Sequence, residues 1–229
     1  MGKFFNDISL SIAGHTKGGP AKVSVVAAGL LGSINGSAVA NVVTTGSFTI
    51  PLMKKTGYSA EFAGAVSAAA SVGGQLLPPI MGAAAFIMAE ILGVKYSEII
   101  VWAAIPALLY YMGILIQVQL RASKDGLVGV PKEQLPRTRD VLKAQGHLII
   151  PIVFLLYMLF MSGSTVVYAA VLTIGVTILV AALKKATRMK PKAIVDALAE
   201  GAKQTVSVAI ACACVGIVVG VSSKTGFGL

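Results

Sequence analysis

Charged side chains are scarce in this sequence. They make up 12% of it, where a soluble domain carries about a quarter. Carboxylates are scarcest, with 9 Asp and Glu against 19 Lys and Arg. None lies deep in an uncharged run; Glu61, Glu90 and Glu98 stand at the run ends. That argues against a carboxylate proton relay. Cysteine is nearly absent. Cys212 and Cys214 form a C-x-C in an apolar stretch, with no His or second Cys pair nearby. Such thiols read as inert and buried, not as a metal site. His15 and His147 fall at the edges of apolar runs, so no nucleophile–base pair takes shape. "GGPAK" lacks the spacing of a phosphate-binding loop. Neither an enzyme nor a bound cofactor is expected. The N-terminal "MGKFFNDISLSIAGH" is too short in its apolar part for a signal peptide, and Asn6 breaks the myristoylation pattern.

What is present is apolar length. The sequence is 56% hydrophobic, with a mean hydropathy of +0.84. Uncharged runs cover 23–53, 62–89, 99–120, 148–183 and 204–223. Runs of this length read as membrane spans, so an all-α integral membrane protein is expected. The formal charge of +10 then marks cytoplasmic loops rather than a nucleic-acid partner. No basic face carries interleaved aromatics. Trp102 and Tyr96 read as interface aromatics.

The runs 99–120 and 204–223 fit one span each, since about 20 residues cross the core once. The run 148–183 fits two, with a tight turn at Met161–Thr165. The run 23–53 is different. As one helix it would reach roughly 46 Å, well beyond a core of about 30 Å. It is too short for two full spans. Gly, Ser and Asn gather in its middle, and Lys17, Lys22, Lys54 and Lys55 flank both ends. Positive residues belong inside. The run therefore reads as a re-entrant helical hairpin, entering and leaving on the cytoplasmic side. Its tip is Ser33–Ser37.

The run 62–89 carries "SVGGQLLPP". Pro78 and Pro79 offer no N–H to the carbonyls of Gly74 and Gln75. A broken transmembrane helix over 62–93 is expected. Further spans are placed at 97–121, 147–163, 164–184 and 204–222. An interfacial amphipathic helix is placed at 191–203, where Ile194, Val195 and Leu198 oppose Lys192, Asp196 and Glu200. The whole of 1–229 reads as one membrane domain. On this path only Lys95 and Lys224 of the 19 basic residues face outward. Both chain ends read as cut, so a fragment is expected.

Mid-membrane tips and broken helices are how secondary transporters build substrate and ion sites. Ser33, Asn35, Gly36, Ser37 and Asn41 from the tip would face Gly73, Gly74, Gln75 and Pro78 from the break. Thr44, Thr45 and Ser47 continue the polar face. These groups are neutral oxygens and backbone N–H groups, which suit Na⁺ as coupling ion and an anionic substrate. Small residues such as Ala63, Gly64 and Ala68 to Ala70 fit close helix packing alone. Packing does not account for Asn35, Asn41 and Gln75 beside paired prolines.

At these residues the sequence resembles a known family. "GGPAKVSVVAAGLLGSINGSAVANVVTTGSFTIPLMKKTGY" and "GGQLLPPIMGAAAFIMAEILGV" resemble the large membrane subunit of tripartite ATP-independent periplasmic (TRAP) transporters. The first motif is most similar to fused permeases paired with TAXI-type binding proteins. The resemblance implies an elevator-type fold of two inverted repeats, each with a hairpin. It implies Na⁺-driven uptake of small organic acids in a bacterial or archaeal cytoplasmic (inner) membrane. The partners implied are an extracytoplasmic substrate-binding protein, a small membrane subunit or its fused equivalent, and the lipid bilayer. This chain would hold the first repeat and the start of the second. A stand-alone divalent-anion/sodium symporter and a non-transporting structural subunit are the alternatives.

Overall fold

The computed structural model describes residues 2–131, 133, 135–136, 138–161, 165–183, 187–188 and 190–225. The side chains of Gln204, Ser207, Val208, Ala211, Val215, Val219 and Ser223 are excepted. Every regular element among the described residues is a helix. Two compact units divide the chain, Met1–Ile174 and Gly175–Leu229.

The first unit opens with α1 (Gly2–Ala13) and α2 (Gly19–Asn35). Phe4 and Phe5 of α1 are buried against Leu31 of α2. Gly18, at φ +69°, caps the start of α2, and Pro20 lies in its first turn, where a missing N–H is not needed. Gly36, at φ +62°, ends α2 with its N–H on the Gly32 carbonyl. That left-handed turn favours glycine. Ser37 then caps α3 (Ala38–Asn41), its hydroxyl accepting from the Ala40 N–H at 3.3 Å. A π-helical segment, Val42–Gly46, joins α3 to α4 (Ser47–Lys55). The chain thus folds back on itself at Gly36–Ser37. The hydroxyls of Ser24 and Thr49 lie 3.0 Å apart across the two arms. This pairing brings the Lys22 and Lys54 ends of the hairpin to the same end.

α5 (Ala60–Gly73) starts on Ser59, whose hydroxyl accepts from the Phe62 N–H. It stops at the paired glycines. The segment 74–82 is not helical, and α6 (Ala83–Leu92) resumes beyond it. α7 (Tyr96–Lys124) then runs unbroken for 29 residues. The packed centre is made of Ala21, Val25 and Ala28 of α2, Met53 of α4, Ala63, Val66 and Ala70 of α5, and Tyr111, Val118 and Ala122 of α7. Alanine dominates because helix association in lipid rests on close van der Waals approach, which small residues permit. α8 (Thr138–Gln145) and a 3₁₀ turn, Gly146–Ile149, lead into α9 (Ile150–Phe160). α10 (Val166–Ala182) follows. Two helical stretches, Tyr96–Lys124 and Thr138–Phe160, are long and apolar enough to cross a membrane. Large apolar side chains stand exposed along α7, among them Ile105, Leu108, Leu109 and Ile116. A soluble monomer does not present such a surface to water.

In the second unit, α11 (Pro191–Thr225) is one helix of 35 residues. The division into an interfacial helix at 191–203 and a span at 204–222 is therefore not a break in the helix. Gly201 is the one weak helix former near the boundary, and a single glycine costs only about 1 kcal/mol. Cys212 is half-buried and Cys214 exposed. Of the two thiols expected to be buried, Cys214 is therefore exposed. Most of the expected turn at Met161–Thr165 and part of the basic stretch 184–192 lie outside the described residues.

Candidate substrate and ion site at the helix break

The tip and the break lie side by side. The Ile80 N–H donates to the Ser33 carbonyl at 3.0 Å. The Gln75 side-chain amide donates to the Gly36 carbonyl at 3.3 Å. Two glycines make the approach possible. A Cβ on Gly32 would lie 2.7 Å from the Gly74 Cα, and one on Gly74 would lie 2.6 Å from the Gly32 Cα. A Cβ on Gly36 would lie 2.3 Å from the Met81 carbonyl oxygen. Gly73 packs against the ring of Tyr110, 2.5 Å from where its Cβ would be. Within the break, the Gln75 carbonyl, expected to lack a donor, accepts from the Gly82 N–H at 2.8 Å. Pro78 is half-buried in the middle of this loop.

The polar side chains of the tip divide by role. Asn35 accepts from the Ser37 N–H at 3.1 Å through Oδ1, a local turn of the kind short polar residues favour. Ser37 is the helix cap already described. The Ser33 hydroxyl donates to the Leu30 carbonyl one turn back. Their hydrogen bonds build the turn. Thr44 and Ser47 are exposed and bond to their own helix.

Asn41 is different. It is fully buried, and its Nδ2 donates to the Ala28 carbonyl at 2.8 Å. Its Oδ1 is buried with no partner. Among the described residues five other buried oxygens share that condition: Asn6 Oδ1, Ser9 Oγ and the Tyr58 hydroxyl elsewhere in the fold, and the hydroxyls of Ser67 and Ser71 on α5. Ser67 Oγ lies 2.9 Å from where a Cβ on Gly46 would be. Asn41 Nδ2 lies 3.1 Å from the corresponding position on Gly74. So α5 runs antiparallel to the returning arm. Ser71 lies one turn from Ser67 toward the break, between the levels of Gly46 and Asn41. The seam is continued by Thr45 and Thr49, both fully buried, which donate to the carbonyls of Asn41 and Thr45.

Unpartnered buried oxygens are costly, about 1–3 kcal/mol each. Those of Asn41, Ser67 and Ser71 belong to α5 and to the returning arm that packs on it, and each has lone pairs to offer. The π-helical segment beside them is a form often found at functional sites. Ser67 and Ser71 did not stand out in the sequence, because "AGAVSAAASVGG" reads as packing. Their spacing of four residues, one face of one helix, was the available signal.

A family model for the DctM component of the tripartite ATP-independent periplasmic transporters matches residues 1–229. The chain belongs to this family. Among curated relatives, the C4-dicarboxylate TRAP transporter large permease protein DctM of Vibrio cholerae is 32% identical over 59% of this chain and 29% of its own length. The sialic acid TRAP transporter large permease protein SiaM of the same organism is 28% identical, over 57% of this chain and 30% of its own length. The ectoine TRAP transporter large permease protein TeaC of Halomonas elongata is 32% identical, over 54% and 28%. The matched stretch thus spans about a third of the length of these relatives. A DctM-family chain is a large permease component of a transporter, an integral membrane protein and not a member of an enzyme class. Membership favours the TRAP reading over the stand-alone symporter.

Proposed function

We propose that this chain forms one half of the transport site of a sodium-coupled, binding-protein-dependent permease for small organic acids. The observation that carries the reading is the junction of the tip, the break and the buried oxygens of Asn41, Ser67 and Ser71. Neutral oxygens at a helix junction are ligands for a hard monovalent cation, and they need no carboxylate. Helix starts at Ser37 and Gly82 offer N–H groups to an anion. The relatives named for C4-dicarboxylate and sialic acid carry carboxylates in their substrates. The second half of the site belongs to the inverted repeat of an elevator-type transporter. The soluble partner is an extracytoplasmic binding protein, of the TAXI type by the wording of the first motif. The small membrane subunit or its fused equivalent completes the complex in the cytoplasmic membrane, which the permease crosses several times.

Uptake by the full-length permease in proteoliposomes, with its binding protein present, is expected to follow an inward sodium gradient. Equal uptake on a proton gradient without sodium would overturn the coupling.

In this reading the arms α2 and α4 are re-entrant. Cysteines replacing Lys22 and Lys54 are then expected to react with an impermeant maleimide from the same, cytoplasmic side. Opposite sidedness would make 23–53 a span and remove the tip from mid-membrane.

A further inference from the structure

We infer that α7 is a splint for the broken helix, with Tyr96, Tyr110 and Tyr111 as positioning residues for the site. The inference rests on the transport reading above and adds to it the element that fixes the break. Tyr110 and Tyr111 donate their hydroxyls to the carbonyls of Ala69 and Ala70, at 2.9 and 2.8 Å. Ala70 is the first of the last four carbonyls of α5, where helical donors run out, and Ala69 stands one residue before it. Gly74, which would serve Ala70 in a continued helix, turns its N–H to Val72. The Tyr111 hydroxyl serves Ala70. On the far side of the break, the single proton of the Tyr96 hydroxyl goes to the Ile80 carbonyl, with the Pro79 carbonyl farther off at 3.3 Å. Both banks of the discontinuity are thus held by phenols of one unbroken helix. From Tyr96 to Tyr111 that helix rises about 22 Å.

The far bank is wired to the tip through one peptide. Ile80 receives the Tyr96 hydroxyl on its carbonyl and gives its own N–H to Ser33. Tyr96 is buried and stacks on Phe86 with ring centroids 4.4 Å apart. Tyr110 and Tyr111 meet edge to face and close over Gly73. In contrast, Tyr157 and Tyr168 are exposed. In hydrocarbon a freed carbonyl has no water to turn to. The glycines and prolines open the break, and the hydroxyls hold its two ends in place.

The test uses Tyr→Phe at positions 96, 110 and 111, singly and together, in the full-length permease, with Tyr157→Phe as control. Each change keeps the ring and removes the donor. Hydrogen–deuterium exchange of the amides in 74–82 is expected to quicken about fivefold for Tyr96→Phe, and more in the triple variant. Exchange in Ile150–Phe160 should stay as in the parent. In uptake assays the half-saturating sodium and substrate concentrations are expected to rise about two- to fivefold, with the maximal rate per inserted molecule kept. Unchanged exchange at 74–82 in the triple variant would overturn the splint. So would quickened exchange throughout the protein, or unchanged saturation despite a loosened break. Local loosening combined with sodium-independent uptake in the parent would keep the splint and overturn the sodium reading instead.

Discussion

Gly32→Ala is expected to reduce uptake about a hundredfold while the protein still inserts, because displacing a functional site by about 1 Å has that scale of effect. The reason is steric and local. The added carbon would lie 2.5 Å from Asn41 Nδ2 and 2.7 Å from the Gly74 Cα. The second neighbour is backbone and cannot rotate away. Overpacking of this kind costs about 1–3 kcal/mol, which a packed helical unit survives. To make room, α2 and α5 must separate at their upper ends. That separation stretches the two bonds that join tip to break, Ile80 to Ser33 and Gln75 to Gly36. It also moves Asn41 from its place between the helices. Gly64→Ala, on the facing helix α5, is the control, since a Cβ there meets nothing within 4 Å. Its uptake should match the parent. Uptake per inserted molecule is the measurement, with insertion quantified by an accessible tag. Parent-like uptake by Gly32→Ala would show that the close approach of the glycines has no bearing on transport.

The all-helical class was legible from run length and missing charge alone. So was a turn within Ser33–Ser37, because the run from 23 to 53 is too long for one span and too short for two; the structure keeps Ser33–Asn35 helical and turns only at Gly36–Ser37. The stop of α5 at Gly73 was written in "GGQLLPP". What the sequence could not convey was which polar atoms the turn consumes. Asn35 and Ser37 look like ligands in a list of residues, and in the structure one lone pair of each side-chain oxygen already serves the turn, accepting from the N–H groups of Ser37 and Ala40. A turn that closes in so few residues draws on the nearest acceptors, and only geometry reveals it. Ser67 and Ser71 failed to stand out for the opposite reason. Two serines four residues apart mark one face of a helix, but they name a site only once the facing helix is known. The continuity of α11 was hidden by the change from amphipathic to uniformly apolar pattern near 203. A helix does not break where its pattern changes; it breaks where backbone partners are lost, and α11 loses none there.

Ser71→Ala and Asn41→Ala test the ion site from two sides. The Ser71 hydroxyl has no protein partner and is fully buried. Removing it takes away a desolvated group and breaks no hydrogen bond. In the absence of sodium, Ser71→Ala should therefore be as stable as the parent or up to about 1–3 kcal/mol more so. If that hydroxyl is a sodium ligand, the benefit reverses when the ion binds. Losing one charge-assisted ligand is worth about 1.5–3 kcal/mol, so half-maximal uptake should need about tenfold more sodium. Asn41→Ala removes a ligand and also the bond to the Ala28 carbonyl. It should raise the sodium requirement at least as far and lower stability as well. Ser67→Ala, whose hydroxyl is likewise unpartnered, ranks the third oxygen. The measurement is a pair of curves for each variant: thermal unfolding with and without sodium, and uptake against sodium at fixed substrate and binding protein. A ligand shows as the loss of sodium-induced stabilisation together with the shift in uptake. If Ser71→Ala keeps both the parent's sodium stabilisation and its uptake curve, the buried hydroxyl is a packing feature and the ion lies elsewhere. A loss of sodium stabilisation in Asn41→Ala alone would confine the site to the hairpin and leave α5 as its wall.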